Sequence, residues 1–317
     1  MTQKIKSVLS AAFFVLSIVL IIVYFKRHQD ELFLISHWHS YHLLALLGII
    51  FIFDVLSAFK SYLIIRDHSR LIRFSAWFKI FYTGKFVGFF ISQGGTIYRS
   101  SILKSKFGFP VSSFIGFMIF FTWLDAVMII LTMLPLIFFC FKPMMTDHVI
   151  VYLMAVVGIF LFIPIIFFRI RQSENKKSSP IINYSFRIRD SLKAQFQDQP
   201  RFWKIVAINF CLLVLSIVQI AICFTAFSIQ VSWMGIGIFT LVFLLSRTLN
   251  IVPGNVGLAE ILCGTITKLL SLSWGIGVLI SAIFRILNLG LSAIVIGIIK
   301  MVDRVSGFYR KSREQRL

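Results

Sequence analysis

Hydrophobic and polar positions along this chain alternate on the scale of a bilayer. Uninterrupted apolar runs cover about Val8 to Phe25, His42 to Ile65, Val111 to Phe141, Val149 to Phe168, Phe202 to Phe227 and Trp274 to Met301. Each is near or above the ~20 residues an α-helix needs to cross the hydrocarbon core. Two further apolar stretches are broken. In FVGFFISQGGTIYRSSIL, Gly94 and Gly95 interrupt the run and Arg99 follows. In LVFLLSRTLNIVPGNVGLAEILCGTIT, Pro253, Gly254 and Gly257 interrupt it, with Arg247 and Asn250 before the break and Glu260 after it. Lipid offers no partner to a freed backbone N–H or C=O, so a broken helix at that depth is buried in protein or lines a watery cavity. The pattern predicts an all-α polytopic membrane protein. It has about six full crossings and two broken hairpins, 74–107 and 233–270, re-entrant and of opposite orientation in an inverted-repeat arrangement; if each hairpin crosses twice, the count rises to ten with the same orientation.

Polar positions within the runs follow helical spacing. Ser281, Arg285, Asn288 and Ser292 fall at i, i+4, i+7 and i+11, one stripe on an otherwise apolar helix. Asp54, Ser57 and Ser61, with Lys60 nearby, form another, and Thr122 and Asp125 lie about one turn apart. Such stripes face a bundle interior, as interhelical hydrogen bonds or as a cavity wall. Gly84 and Gly88 form a small-xxx-small pair suited to close helix packing.

Charge sets the orientation. The chain has 32 basic and 12 acidic residues, 58% hydrophobic content and a mean hydropathy of +0.91. In a soluble protein that excess would suggest nucleic acid, but here the basic residues cluster beside apolar runs, where they fix topology and attract anionic lipid. Lys4 and Lys6, the Arg66–Arg73 group, the stretch from Arg169 to Lys204 and the tail from Lys300 to Arg316 share one side if both termini are cytoplasmic. The reading is a single transmembrane domain, 1–317, in a plasma (inner) membrane. It divides into an N-terminal helix and outer loop (1–40), a first repeat (41–168), a basic cytoplasmic loop (169–201), a second repeat (202–302) and a basic tail (303–317). Val8 to Phe25 reads as a retained helix, because no small-residue cleavage site follows it before Lys26. Cys140, Cys211, Cys223 and Cys263 lie in or beside apolar segments and form no disulfide framework. His37, His39 and His42, beside Trp38 and Tyr41, read as interfacial side chains, so no metal is expected.

Ionised side chains at membrane depth are costly and are site candidates by default. Here they are mostly basic: Lys85, Arg99, Arg247, Lys268 and Arg285 against Asp54, Asp125 and Glu260. Arg99 and Arg247 adjoin the two breaks, where glycine lets the main chain approach a ligand and a guanidinium fork suits phosphate. The expected substrate-binding set is Arg99, Arg247, Arg285, Asn250, Gly94, Gly95, Gly254 and Gly257. Glu260, Asp125 and Asp54 are expected as ion-pair or coupling residues, and a pairing of Arg247 with Glu260 is the structural alternative for that hairpin. No Walker loop, Gly-x-Ser-x-Gly elbow or HExxH motif is present, so the sequence points to no enzyme and no cofactor.

On these residues the chain resembles the transmembrane flippase region of lysylphosphatidylglycerol synthases, the multiple peptide resistance proteins, and their stand-alone flippase-like relatives. The family's glycine-rich motif is matched by Pro253 to Glu260, preceded by Arg247, and its earlier motif by Gly94, Gly95 and Arg99 leading into Leu103 to Gly108. Ala259 stands where the family commonly has arginine, Asn255 where glycine is usual, and Gln93 in place of a proline-rich lead-in. These departures detach the family's aminoacyl-phosphatidylglycerol substrate from what the resemblance implies. The aminoacyl-transferase domain of the bifunctional members has no counterpart after Asp303. What the resemblance implies is movement between leaflets of a lipid with a polar headgroup: an anionic phospholipid, a glycolipid or a polyprenyl-phosphate-linked sugar. Its partners would be those lipids and envelope-biosynthesis enzymes. The alternatives are a lipid-linked transferase and an accessory subunit of an envelope assembly complex.

Overall fold

The computed structural model describes residues 38–68, 72–91, 93–141, 196–249 and 257–314, with isolated positions 19, 23, 26 and 190. All regular structure among the described residues is α-helical: α1 (Ser40–His68), α2 (Phe74–Phe90), α3 (Gly94–Phe107), α4 (Val111–Phe141), α5 (Gln199–Ala226), α6 (Trp233–Leu249), α7 (Leu258–Leu269) and α8 (Trp274–Glu314). Four stretches are long and apolar enough to cross a membrane: Ser40–Arg66, Val111–Thr132, Gln199–Ala226 and Trp274–Arg304. They match four of the six runs read from sequence. The other two, 8–25 and 149–168, lie outside the described residues.

Both broken stretches form helix pairs, α2–α3 and α6–α7. Their arms hold 17, 14, 17 and 12 residues. At ~1.5 Å per residue all are shorter than the ~30 Å hydrocarbon core. The first chain reversal is made by Gln93, which has a left-handed φ of 60°, and by the Gly94 N–H, which donates to the Ile91 carbonyl at 2.9 Å. Helix α3 ends at Gly108 (φ 66°), with the Phe109 N–H donating to Leu103 O at 3.2 Å. That left-handed cap suits glycine, and Pro110 just beyond it starts a new helix.

Glycines let the arms close. A Cβ on Gly95 would lie 2.4 Å from the Gly84 carbonyl oxygen, and one on Gly88 would lie 3.8 Å from Gly95 Cα. The Gly84/Gly88 pair is therefore the α2–α3 contact that its spacing predicts. On the other side, α7 packs antiparallel to α8: a Cβ on Gly277 would lie 2.2 Å from Cys263 O, and one on Gly264 2.4 Å from the Trp274 indole nitrogen.

Two apolar cores lie toward opposite ends of the antiparallel pair α1 and α5. One joins Leu46 and Ile50 of α1 to Ile220 and Phe224 of α5, with Phe239, Cys263 and Phe284 from α6, α7 and α8. The other joins Ile64 and Ile65 of α1 to Ile205 of α5, with Trp77, Leu103 and Phe117 from α2, α3 and α4. Each broken pair is thus rooted at its own end of the bundle. The pairs also cross halves, since α2 packs on α8 and α6 packs on α4. Between the two cores, the middle of α1 carries Asp54, Ser57, Lys60 and Ser61.

Candidate functional site

The polar belt is built from ion pairs that link different helices. Lys60 of α1 donates to Asp125 Oδ1 of α4 at 3.0 Å and to Asn209 Oδ1 of α5 at 2.8 Å, and it sits 5.0 Å from the Phe121 ring. Lys85 of α2 donates to Asp54 of α1 at 2.6 Å and to Asn288 Oδ1 of α8 at 2.8 Å. Arg285 Nη1 of α8 lies 2.7 Å from Glu260 Oε1 of α7, a close charge contact without hydrogen-bond geometry at that oxygen. The other carboxylate oxygen, Glu260 Oε2, accepts the Gly257 N–H at 2.7 Å. Glu260 therefore caps the broken helix and neutralises Arg285 together. An acidic residue in the first turn also complements the helix dipole.

The geometry replaces the Arg247–Glu260 pairing with an Arg285–Glu260 pairing. Because α7 runs antiparallel to α8 through the Gly264 and Gly277 contacts, its first turn faces the Ser281–Arg285 segment. Arg247, at the far end of α6, points elsewhere. Lys268, read as deep from sequence, is exposed in the last turn of α7, and Lys60 takes its place among the interior charges.

Three interior cations thus meet three carboxylates, which leaves half-buried Arg99 and the more exposed Arg247. Among the described residues neither is in an ion pair, although Asp54, held by Lys85, also attracts Arg247 from farther away. The Arg99 Nε–H donates to Gly95 O at 3.0 Å and the guanidinium lies 5.5 Å from the Phe81 ring. Arg247 lies 5.8 Å from the Phe53 ring and 5.7 Å from the Phe243 ring. Both arginines line one cavity of about 340 Å³, together with Lys60, Asp125, Asn209 and Ser57 and a larger set of apolar side chains. Arg247 also lines a smaller cavity of about 70 Å³ with Arg285 and Asn288, so it sits where the two spaces meet. The structure brings Arg99, Arg247 and Asp125 to one cavity and sets Arg285 on its neighbour.

The remaining expected site residues fall as follows. Asp54 is buried, at 3% exposure, and lines neither cavity. Gly94 and Gly95 are buried in the first hairpin, with their Cα faces against Ile91 and Gly84; protein already fills the space a ligand would need there. Gly257 has φ 89°, in the region that excludes most side chains. Asn250 and Gly254 lie outside the described residues. The polar face of α8 is interior as its spacing predicts, with Ser281, Asn288 and Ser292 all buried. Asn209, the second acceptor for Lys60, is the residue sequence reading missed. Its signal is present: Asn209, Ser216 and Gln219 fall at i, i+7 and i+10 on α5, and all three are buried. Among the described residues no group of His, Cys, Asp and Glu is arranged to hold a metal ion.

The sequence model of a family described as the lysylphosphatidylglycerol synthase TM region matches residues 7–296. The chain belongs to that family. The match spans both broken helix pairs and every residue of the interior charge network. Together with the apolar helices it makes this a multi-pass membrane protein. No curated protein and no solved structure matches the chain.

Proposed function

We propose that this protein carries a lipid with an anionic headgroup between the leaflets of its membrane, without hydrolysing ATP. The observation that carries this reading is the pair of arginines, Arg99 and Arg247, lining one intramembrane cavity, neither of them in an ion pair among the described residues. An uncompensated charge at that depth is costly, and a phosphate supplies the counter-charge and the acceptors a guanidinium fork is shaped to bind. The apolar remainder of the cavity wall suits the first carbons of a lipid, whose tails stay in the bilayer. Asp54, Asp125 and Glu260 are each held by a basic partner, so none of them is free as a general acid or base. That favours transport over a lipid-linked transferase.

The wider arrangement supports the same reading. The two broken pairs, rooted at opposite ends of α1 and α5, read as inverted repeats that dip toward a shared mid-depth site and open alternately. The location is a plasma membrane with both termini cytoplasmic, so that the basic clusters face that side. The test is leaflet exchange of fluorescent anionic lipids in vesicles containing the purified protein. Arg247→Gln and Arg99→Gln should each slow exchange about ten- to hundredfold, the equivalent of ~1.5–3 kcal/mol for a charge-assisted hydrogen bond. Arg247→Lys should recover part of it, because a point charge lacks the fork. Wild-type exchange in both Gln variants, with normal folding, would remove the proposal.

A further inference from the structure

The charge balance of the main cavity goes further and specifies the headgroup. This step rests on the headgroup-binding reading above. The cavity wall holds three cations, Arg99, Arg247 and Lys60, and one carboxylate, Asp125. Lys60 and Asp125 neutralise each other at 3.0 Å. The neighbouring pairs, Lys85 with Asp54 and Arg285 with Glu260, are neutral as well. The connection 250–256 contains no ionisable residue. Asp54 also attracts Arg247, so the network is shared. Among the described residues its five cations and three carboxylates still leave two positive charges, and the two arginines outside the ion pairs come one from each broken helix pair.

We infer that this cavity is matched to a headgroup carrying two negative charges, a phosphomonoester or a diphosphate, in preference to the single charge of a phosphodiester. A monoanion would leave one arginine without a matching counter-ion, and a dianion leaves none. Asp125 limits the match from the other side. Both residues line the cavity, and the Asp125 side chain is 37% exposed against 8% for Lys60, so the carboxylate is the more accessible of the two to further negative charge. The two guanidiniums come from α3 and α6, so a phosphate group with several terminal oxygens can accept from both at once.

The experiment uses the full chain in an uncharged detergent and follows thermal unfolding by tryptophan fluorescence. Short-chain phosphatidate, phosphatidylglycerol, phosphatidylcholine and glycerol 3-phosphate are added in turn. At pH 8 phosphatidate is a dianion, since the second pKa of a phosphomonoester is about 6. Its half-saturating concentration should be at least about tenfold below that of phosphatidylglycerol, reflecting one more matched charge. At pH 5, where phosphatidate is a monoanion, that ratio should collapse toward one; this readout needs no variant. Arg99→Gln and Arg247→Gln should each reduce the pH 8 ratio to near one. Glycerol 3-phosphate, the same dianion without tails, should give no stabilisation at those concentrations. Equal, arginine-dependent affinity for phosphatidate and phosphatidylglycerol would overturn the dianion inference and leave anionic headgroup binding standing. Binding of both lipids unaffected by either arginine would overturn the headgroup site itself. Stabilisation by glycerol 3-phosphate equal to that by phosphatidate would overturn the lipid part and make the ligand a soluble dianion.

Discussion

Glu260 and Arg247 flank the same break in the chain but carry opposite burdens, and the difference is measurable. Glu260 is 2% exposed; it caps the Gly257 N–H and faces Arg285. Removing one member of such a buried pair strands the other, at a cost of about 3–5 kcal/mol. Arg285→Gln and Glu260→Gln should therefore each lower the unfolding temperature in detergent. The double variant should recover most of the loss, because neither charge is then stranded and the glutamine amide oxygen can still accept from Gly257. Arg247→Gln removes a charge that is in no ion pair among the described residues and feels Asp54 only from farther away, so it should change stability little while slowing transport. Equal destabilisation by Arg247→Gln and Arg285→Gln would mean that Arg247 is structural. The arginines of interest were legible in the sequence because each adjoins a break in an apolar run. Which arginine Glu260 chooses was not legible, since chain proximity to the break favours Arg247, and only the antiparallel register of α7 on α8 brings Arg285 opposite.

Glycines close the α2–α3 pair and the α7–α8 contact, and the neighbours of those glycines separate two kinds of defect. A Cβ on Gly277 would lie 2.2 Å from the Cys263 carbonyl, which is backbone and cannot step aside. Gly277→Ala should push α7 from α8 and destabilise the protein by about 1–3 kcal/mol, the usual range for overpacking. A Cβ on Gly84 would instead lie 2.7 Å from Arg99 Cγ, part of a flexible side chain. Gly84→Ala should displace the Arg99 guanidinium from the cavity and slow transport, with a smaller fall in unfolding temperature. If Gly84→Ala transports normally, the position of Arg99 does not matter to the reaction. Gly257→Ala tests backbone conformation: at φ 89° a Cβ costs roughly 1–2 kcal/mol, so unfolding temperature should fall. Sequence spacing identified Gly84 and Gly88 as packing residues, whereas Gly257 was expected as a substrate-binding glycine and its positive φ emerges only from the structure. Gly94 and Gly95 misled for a physical reason. The positive φ of the first turn falls on Gln93, so the two glycines are free to serve helix contact, and nothing in their local pattern distinguishes that use from a ligand loop.

At the scale of the whole molecule, the ends of the helices sort by charge in a way the separate runs only hinted at. Arg66 at the end of α1 lines a space of about 800 Å³ with Arg201 and Lys204 at the start of α5. Lys79, near the base of α2, pairs with Asp303 on the C-terminal part of α8. These basic ends therefore belong to one side of the bundle, the side that roots the first broken pair. The opposite side carries Trp38 against Phe227, with exposed Trp233 at the start of α6, as interfacial aromatics do. Sequence supplied the charge clusters. What it could not supply is that they are brought together by contacts between helices far apart in the chain. If that side is cytoplasmic, reporter fusions after Arg73, between Lys176 and Arg189, and at Leu317 should all report cytoplasm, and fusions near Glu31 and Met145 should report the outside. A fusion at Gln93, in the turn between α2 and α3, separates re-entrant from fully crossing pairs. A re-entrant pair returns to its own side without exposing its turn, so that fusion should give no external signal, whereas a pair that crosses twice would place Gln93 outside. An external loop between Lys176 and Arg189 would separate two basic clusters that the positive-inside rule places together, and the inverted arrangement of the two broken pairs would fall with it.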